Sequence, residues 1–180
     1  MKTLLIAAAL AVAAVPAIAQ NTSPASQAVQ ESDGPMTVTD FAKLAGIGGM
    51  FEIQSSQLAQ TQSLNKDVLA FAAMMIKDHE KFADEMKSMV AAAQIPGKLD
   101  DTHEQMMEKL KTASGTDFDR SYRSMQIAAH EEAIALFEGY IKKGDDPKLQ
   151  AWASQTLPVL QMHLKHAQEL ALPQTTGQLQ

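Results

Sequence analysis

Four segments of this chain repeat apolar side chains at alternating steps of three and four, a spacing that lines one face of an α-helix and leaves each segment needing neighbours to cover it. From Thr39 to Leu172 good helix formers (Ala, Met, Leu, Gln, Lys, Glu) dominate, and no stretch alternates as a half-buried strand would. The pattern predicts an all-α fold.

Punctuation sets the expected limits. A first helix runs from Asp40 to about Gln62 with Thr39 as its N-cap, and a second from Lys66 to Ala93, stopped by Pro96 and Gly97. A third runs from Asp117 to Lys143, ending in cations and then Gly144. The fourth opens on Asp146 with Pro147 at its first position, carries Pro158 inside it, and ends near Leu172. Gln94 to Thr116 is a long connection with a short helix over Asp101 to Lys111, whereas the other two links are only a few residues long. Two antiparallel hairpins joined by a long crossover, the ferritin-like four-helix bundle with a short extra helix in that connection, match this asymmetry; an up-down-up-down bundle would also absorb the insert.

Ahead of the bundle, Lys2, the apolar run Leu4 to Val15 and the triplet Ala17, Ile18, Ala19 have the form of a secretory signal peptide cleaved after Ala19. The run falls short of the roughly 20 apolar residues a bilayer requires, so no transmembrane segment is expected. The domains read as a leader at 1–19, a flexible linker at 20–38, the bundle at 39–172 and a tail at 173–180, in a periplasmic protein. Without cysteine the chain forms no disulfide and takes no lipid anchor at the cleavage site. Beyond the leader, 14 Lys and Arg face 21 Asp and Glu, a net of −7 with neutral histidines, which repels nucleic acid. A second copy of the chain or another envelope protein remains as a partner.

Each apolar seam holds one polar residue. Helix two reads Val68, Ala72, Met75, His79, Phe82, Met86; helix three Ile127, His130, Ile134, Phe137; helix four Leu149, Ala153, Thr156, Leu160, His163, Ala167. In helix one, Phe41, Ala45, Gly48, Glu52 and Ser55 form a stripe beside Leu44, Ile47, Phe51 and Leu58, so Glu52 points inward on the first of the two. At ~1.5 Å of rise per residue all four polar residues fall near the middle of their helices, in one layer of the bundle. A buried carboxylate needs a partner and a buried imidazole needs two. One divalent ion held by Glu52, His79, His130 and His163 satisfies all of them, with Asp78 or a backbone carbonyl orienting a ring. Gly46, Gly48 and Gly49 would let a neighbouring backbone approach beside Glu52. The competing reading is a non-catalytic structural or interaction protein of the cell envelope whose core histidines bond one another and hold no metal.

The sequence also resembles a bacterial family, the domain of unknown function 4142, through Gly48-Gly49-Met50-Phe51-Glu52, Phe71-Ala72, Asp78-His79, Ser114-Gly115, Phe118-Asp119-Arg120, Tyr122, Leu157-Pro158 and His163-Leu164. The family's members are exported, are often labelled outer-membrane proteins and are placed in the ferritin-like group. The resemblance implies that fold and location, and no activity. The di-iron pattern of the ferritin-like group, Glu-x-x-His on two helices, is missing: Ile76, Ile127 and Leu160 stand three residues before the histidines. One carboxylate and three imidazoles suit a single zinc, iron, copper, nickel or manganese ion, serving metal or stress handling.

Eleven methionines admit copper(I) binding, although Met75, Met86 and Met89 already serve as seam residues. His166 pairs with His163 by spacing and reads as a solvated neighbour, as does His103 among Asp100, Asp101 and Glu104. No nucleophile with a base, glycine-rich phosphate loop or basic patch is present, so hydrolase and nucleotide readings have no support.

Overall fold

A computed structural model describes residues 34–172. The leader, residues 20–33 of the linker and the tail at 173–180 lie outside the described residues. The elements are α1 (Val38–Gln62), α2 (Lys66–Lys87), a 3-10 turn (Ala92–Gln94), α3 (Asp101–Thr112), α4 (Gly115–Lys143) and α5 (Pro147–Glu169).

Three boundaries differ from expectation because side chains found other partners. Thr37 caps α1, its Oγ1 accepting from the Asp40 N–H at 3.1 Å, while the Thr39 hydroxyl accepts from Gln94 Nε2 at 2.8 Å. The ordered body therefore starts before Thr39: Met36 N–H donates to Lys143 O at 2.9 Å, and Met36 O accepts from Asp145 N–H at 3.2 Å. Helix α2 stops at Lys87 rather than Ala93, with Ser88 Oγ donating to Glu85 O at 2.6 Å. The chain then turns onto α1, where Ile95 Cγ2 would lie only 3.2 Å from a Cβ on Gly46. At the other end α5 closes at Glu169, and Arg123 of α4 donates to the carbonyls of Ala167 and Gln168 at 3.1 and 2.5 Å. Helix α5 continues through Pro158.

Pairings along the helices fix the topology. Ser56 meets Tyr122 at 2.8 Å near one end of the bundle and Phe41 stacks on Tyr140 at 4.2 Å near the other, so α1 and α4 are antiparallel. His163 on Asp78 and Trp152 on Glu85 make α2 and α5 antiparallel as well. The chain order is thus up, down, down, up. The connection from Ser88 to Ser114 must climb the length of the bundle, and α3 covers α1 and α4 on the way, with Phe51 and His103 rings 5.1 Å apart. This is the ferritin-like crossover, and not the up-down-up-down alternative.

The core divides into two. Phe51, Phe71, Met75, Leu110, Phe118 and Tyr122 pack at one end, and Phe41, Met86, Phe137, Tyr140, Trp152 and Leu160 at the other. Between them lies a buried polar layer containing Glu52, Ser55, Gln126, Thr156 and three histidines.

The turn after α4 is close-packed. Gly144 has an ordinary φ of −64°, yet an added Cβ would lie 2.6 Å from Tyr140 O and 2.8 Å from the Tyr140 ring. Gly144→Ala is expected to cost about 1–3 kcal/mol through overpacking. A melting temperature equal to the wild type's would show that the turn gives way freely.

Candidate metal centre

Mid-helix register carries all four residues to one level. Glu52 is 2 % exposed, His79 4 %, and His130 and His163 are fully enclosed. The three imidazoles form a near-equilateral triangle, with ring centroids 5.6 Å (His79–His130), 5.4 Å (His79–His163) and 5.5 Å (His130–His163) apart.

Each ring is held by one nitrogen. His130 Nδ1 lies 2.8 Å from the Gln126 carbonyl, which only accepts, so Nδ1 carries the proton. His163 Nε2 donates to Asp78 Oδ2 at 3.1 Å, and His79 Nδ1 lies 3.1 Å from Glu52 Oε2. The remaining nitrogens, His79 Nε2, His130 Nε2 and His163 Nδ1, are buried without a partner among the described residues. One donor atom from each ring lies within 4.8 Å of the other two. Points so spaced share a centre within about 2.8 Å of each, so inward shifts of under ~1 Å reach the ~2.0–2.1 Å of a zinc–nitrogen bond.

Protonation agrees with this arrangement. Burial, and then the neighbouring imidazoles His130 and His163, hold His79 well below the ordinary histidine range. Burial takes His130 down to about 4 against the pull of its bond to Gln126, with His163 lowering it further. His163 is also lowered by burial, although Asp78 opposes the shift. All three are neutral near pH 7, the state in which imidazole ligates. Burial, helped by Glu132, raises Glu52 to about 8, so without a cation its contact with His79 joins two neutral groups and is not an ion pair.

Glu52, read from the sequence as a fourth ligand, belongs to the layer but stands on the Nδ1 edges of His79 (3.1 Å) and His130 (3.3 Å), away from the free nitrogens. Of the glycines before it, only Gly46 faces a close neighbour, and that is the side chains of Ile95 and Pro96 rather than another backbone. A Cβ on Gly48 would meet nothing within 4 Å, and one on Gly49 would only touch His79 Nδ1 at 4.0 Å. His103 is not a solvated residue: it is half-buried, bonded to Asp100 at 2.7 Å and packed on Phe51. His166 is exposed.

Asp78 or a backbone carbonyl was the expected group orienting a ring, and both occur, Asp78 on His163 and the Gln126 carbonyl on His130. Which ring each serves, and the Gln126–Ser55 bond at 2.8 Å, were not legible, since each depends on a rotamer. Their one trace in the sequence is polar Gln126 four residues before His130.

A family described as a domain of unknown function (DUF4142) matches residues 17–170. The chain belongs to the DUF4142 family. None of the curated proteins matches it. Among solved structures, this DUF4142 chain is similar to CopM in its Cu(II)-bound form, with TM-score 0.63, 17% identity, and coverage of 75% of this chain and 95% of that one. It is also similar to a protein described as secreted, of the family DUF305, from Streptomyces coelicolor, with TM-score 0.62, 12% identity, and coverage of 73% and 89%. At these identities the likeness establishes the shared helical fold. Among the described residues no helix is long and apolar enough to cross a membrane.

Proposed function

We propose that this DUF4142 chain is a periplasmic protein that holds one divalent transition-metal ion on His79, His130 and His163, in metal or stress handling. Glu52 and Asp78 act behind the rings, keeping one nitrogen protonated and aiming the other inward. The observation that carries the reading is the convergence of three buried lone pairs that nothing else among the described residues satisfies. A water molecule donates two protons and would leave one nitrogen bare, whereas a cation accepts all three. Three protein ligands leave a further coordination position free for water or another donor.

Copper(II) and zinc head the metals to test, since imidazole suits both and copper(II) stands highest in the affinity order for nitrogen sites. The Cu(II)-bound state of CopM, on the same fold, supports including copper. Export through the leader at 1–19 agrees with the secreted description of the DUF305 neighbour. Elemental analysis of untagged protein, before and after titration with copper(II) and zinc, tests the site. About one equivalent is expected; less than a tenth, with no uptake, would leave the structural reading, in which the layer serves only to fix helix register.

A further inference from the structure

Gly48 and Gly49 stand side by side in the interior of α1, where each weakens the helix relative to alanine. Neither has a positive φ, and neither is crowded: a Cβ on Gly48 would meet nothing within 4 Å, and one on Gly49 only His79 Nδ1 at 4.0 Å. Their bare faces leave space. Both line a cavity of about 440 Å³ that Ala129 and Ala133 bound on α4 and that extends from the exposed Lys87 to the buried His79.

The space suits a hydrated cation. An ion with about six waters, at roughly 30 Å³ each, occupies about 180 Å³ and fits within it. Besides His79 and His103, its ionisable side chains are the acids Glu52, Asp100 and Glu132 and a single base, Lys87, which Asp84 already holds at 3.1 Å. His79 is also the one imidazole of the metal centre that lines the cavity, and the one with any exposure, 4 % against 0 % for His130 and His163.

Resting on the metal reading above, we infer that this cavity is the passage by which the divalent ion enters and leaves the three-histidine centre, the His79 ring swinging aside over Gly49 as the last step. A passage lowers the barrier between free and bound ion and leaves both end states alone. Blocking it therefore slows uptake and release by the same factor and leaves Kd unchanged.

Stopped-flow mixing with zinc and a zinc indicator measures uptake, mixing of the zinc form with excess chelator measures release, and equilibrium competition with a chelator of known affinity measures Kd. Gly48→Ala and Gly48→Leu separate the passage from helix stability, because alanine and leucine are both good helix formers and differ in bulk. Leucine is expected to slow both rates at least about tenfold relative to alanine, with Kd within about twofold of the wild type. Ala133→Leu, across the cavity, is expected to do the same relative to the wild type, and it decides if circular dichroism shows Gly48→Leu to be misfolded. Equal rates in the two Gly48 variants, both folded, would mean that the ion enters by opening of α1 and would overturn the passage. A leucine variant that shifts Kd while uptake stays constant would act on the bound state and overturn it as well. No zinc on the wild type at equilibrium would remove the metal reading itself, whereas normal equilibrium binding with unaltered rates removes the passage alone.

Discussion

Alanine at any one of His79, His130 or His163 is expected to remove most of the metal affinity, and a second alanine to add little. Three nitrogens around one ion act as a unit, so their losses are far from additive. The effect is large because the ion binds only the folded chain: at a free concentration one hundred times Kd it adds about 2.7 kcal/mol, and at one thousand times about 4.1 kcal/mol. For a body of this size that is roughly 5 to 15 °C in melting temperature, since each kcal/mol moves Tm by about 2–4 °C. Melting curves of the wild type and the three single variants, with zinc or copper(II) and with chelator, check it. Wild type alone is expected to shift. If chelator leaves the wild type unmoved and each alanine costs the same about 1–3 kcal/mol in either buffer, the rings are independent core residues and the shared ion does not exist.

Glu52→Gln is expected to change stability in opposite directions with and without metal. In the metal-free protein Glu52 titrates at about 8 instead of its ordinary 4.5, so the folded state keeps a proton that the unfolded chain releases. Stability is then intact below pH 4.5 and is lost as pH rises toward 8, on the order of 4 kcal/mol across the window at 1.36 kcal/mol per unit. The histidines work the other way. Their folded values lie below 6.5, so their contribution is intact above that pH and is lost as acid charges them in the unfolded chain, for His130 down to about 4. Metal-free protein should therefore be most stable near neutrality.

Glutamine removes the alkaline loss, and at pH 8 it is expected to stabilise metal-free protein by about 2–4 kcal/mol. With a dication beside it the carboxylate is favoured, and the same substitution is expected to weaken metal binding about 10- to 100-fold. Urea midpoints at pH 5, 6.5 and 8, with chelator and with zinc, measure both effects. A change of the same sign in both buffers would mean that Glu52 does not face the ion's charge.

Much of this layer could be read directly from spacing. His79, His130 and His163 interrupt apolar seams at matching heights, and burial at 0 to 4 % is what seam positions imply. Helix termini were less legible where capping was contested. Thr37 and Thr39 are equally good caps in sequence, and the choice went to Thr37 because Gln94, from the crossover, reaches the Thr39 hydroxyl. The end of α2 was missed for a similar reason. Nothing in the stretch from Ser88 to Ala93 forbids a helix, but packing Ile95 onto Gly46 turns the chain first.

By itself the sequence determined the class of fold and the inward placement of His79, His130 and His163, because a helix repeats with a fixed period that residue spacing alone reveals. It did not determine which atoms face which. Whether Glu52 is a ligand or stands behind the rings, which nitrogen of each imidazole is free, and whether the long connection crosses over all depend on residues far apart in the chain: Gln126 on His130, Asp78 on His163, Tyr122 on Ser56. Side-chain rotamers and helix order are settled by packing among those distant groups, and local periodicity carries no record of it.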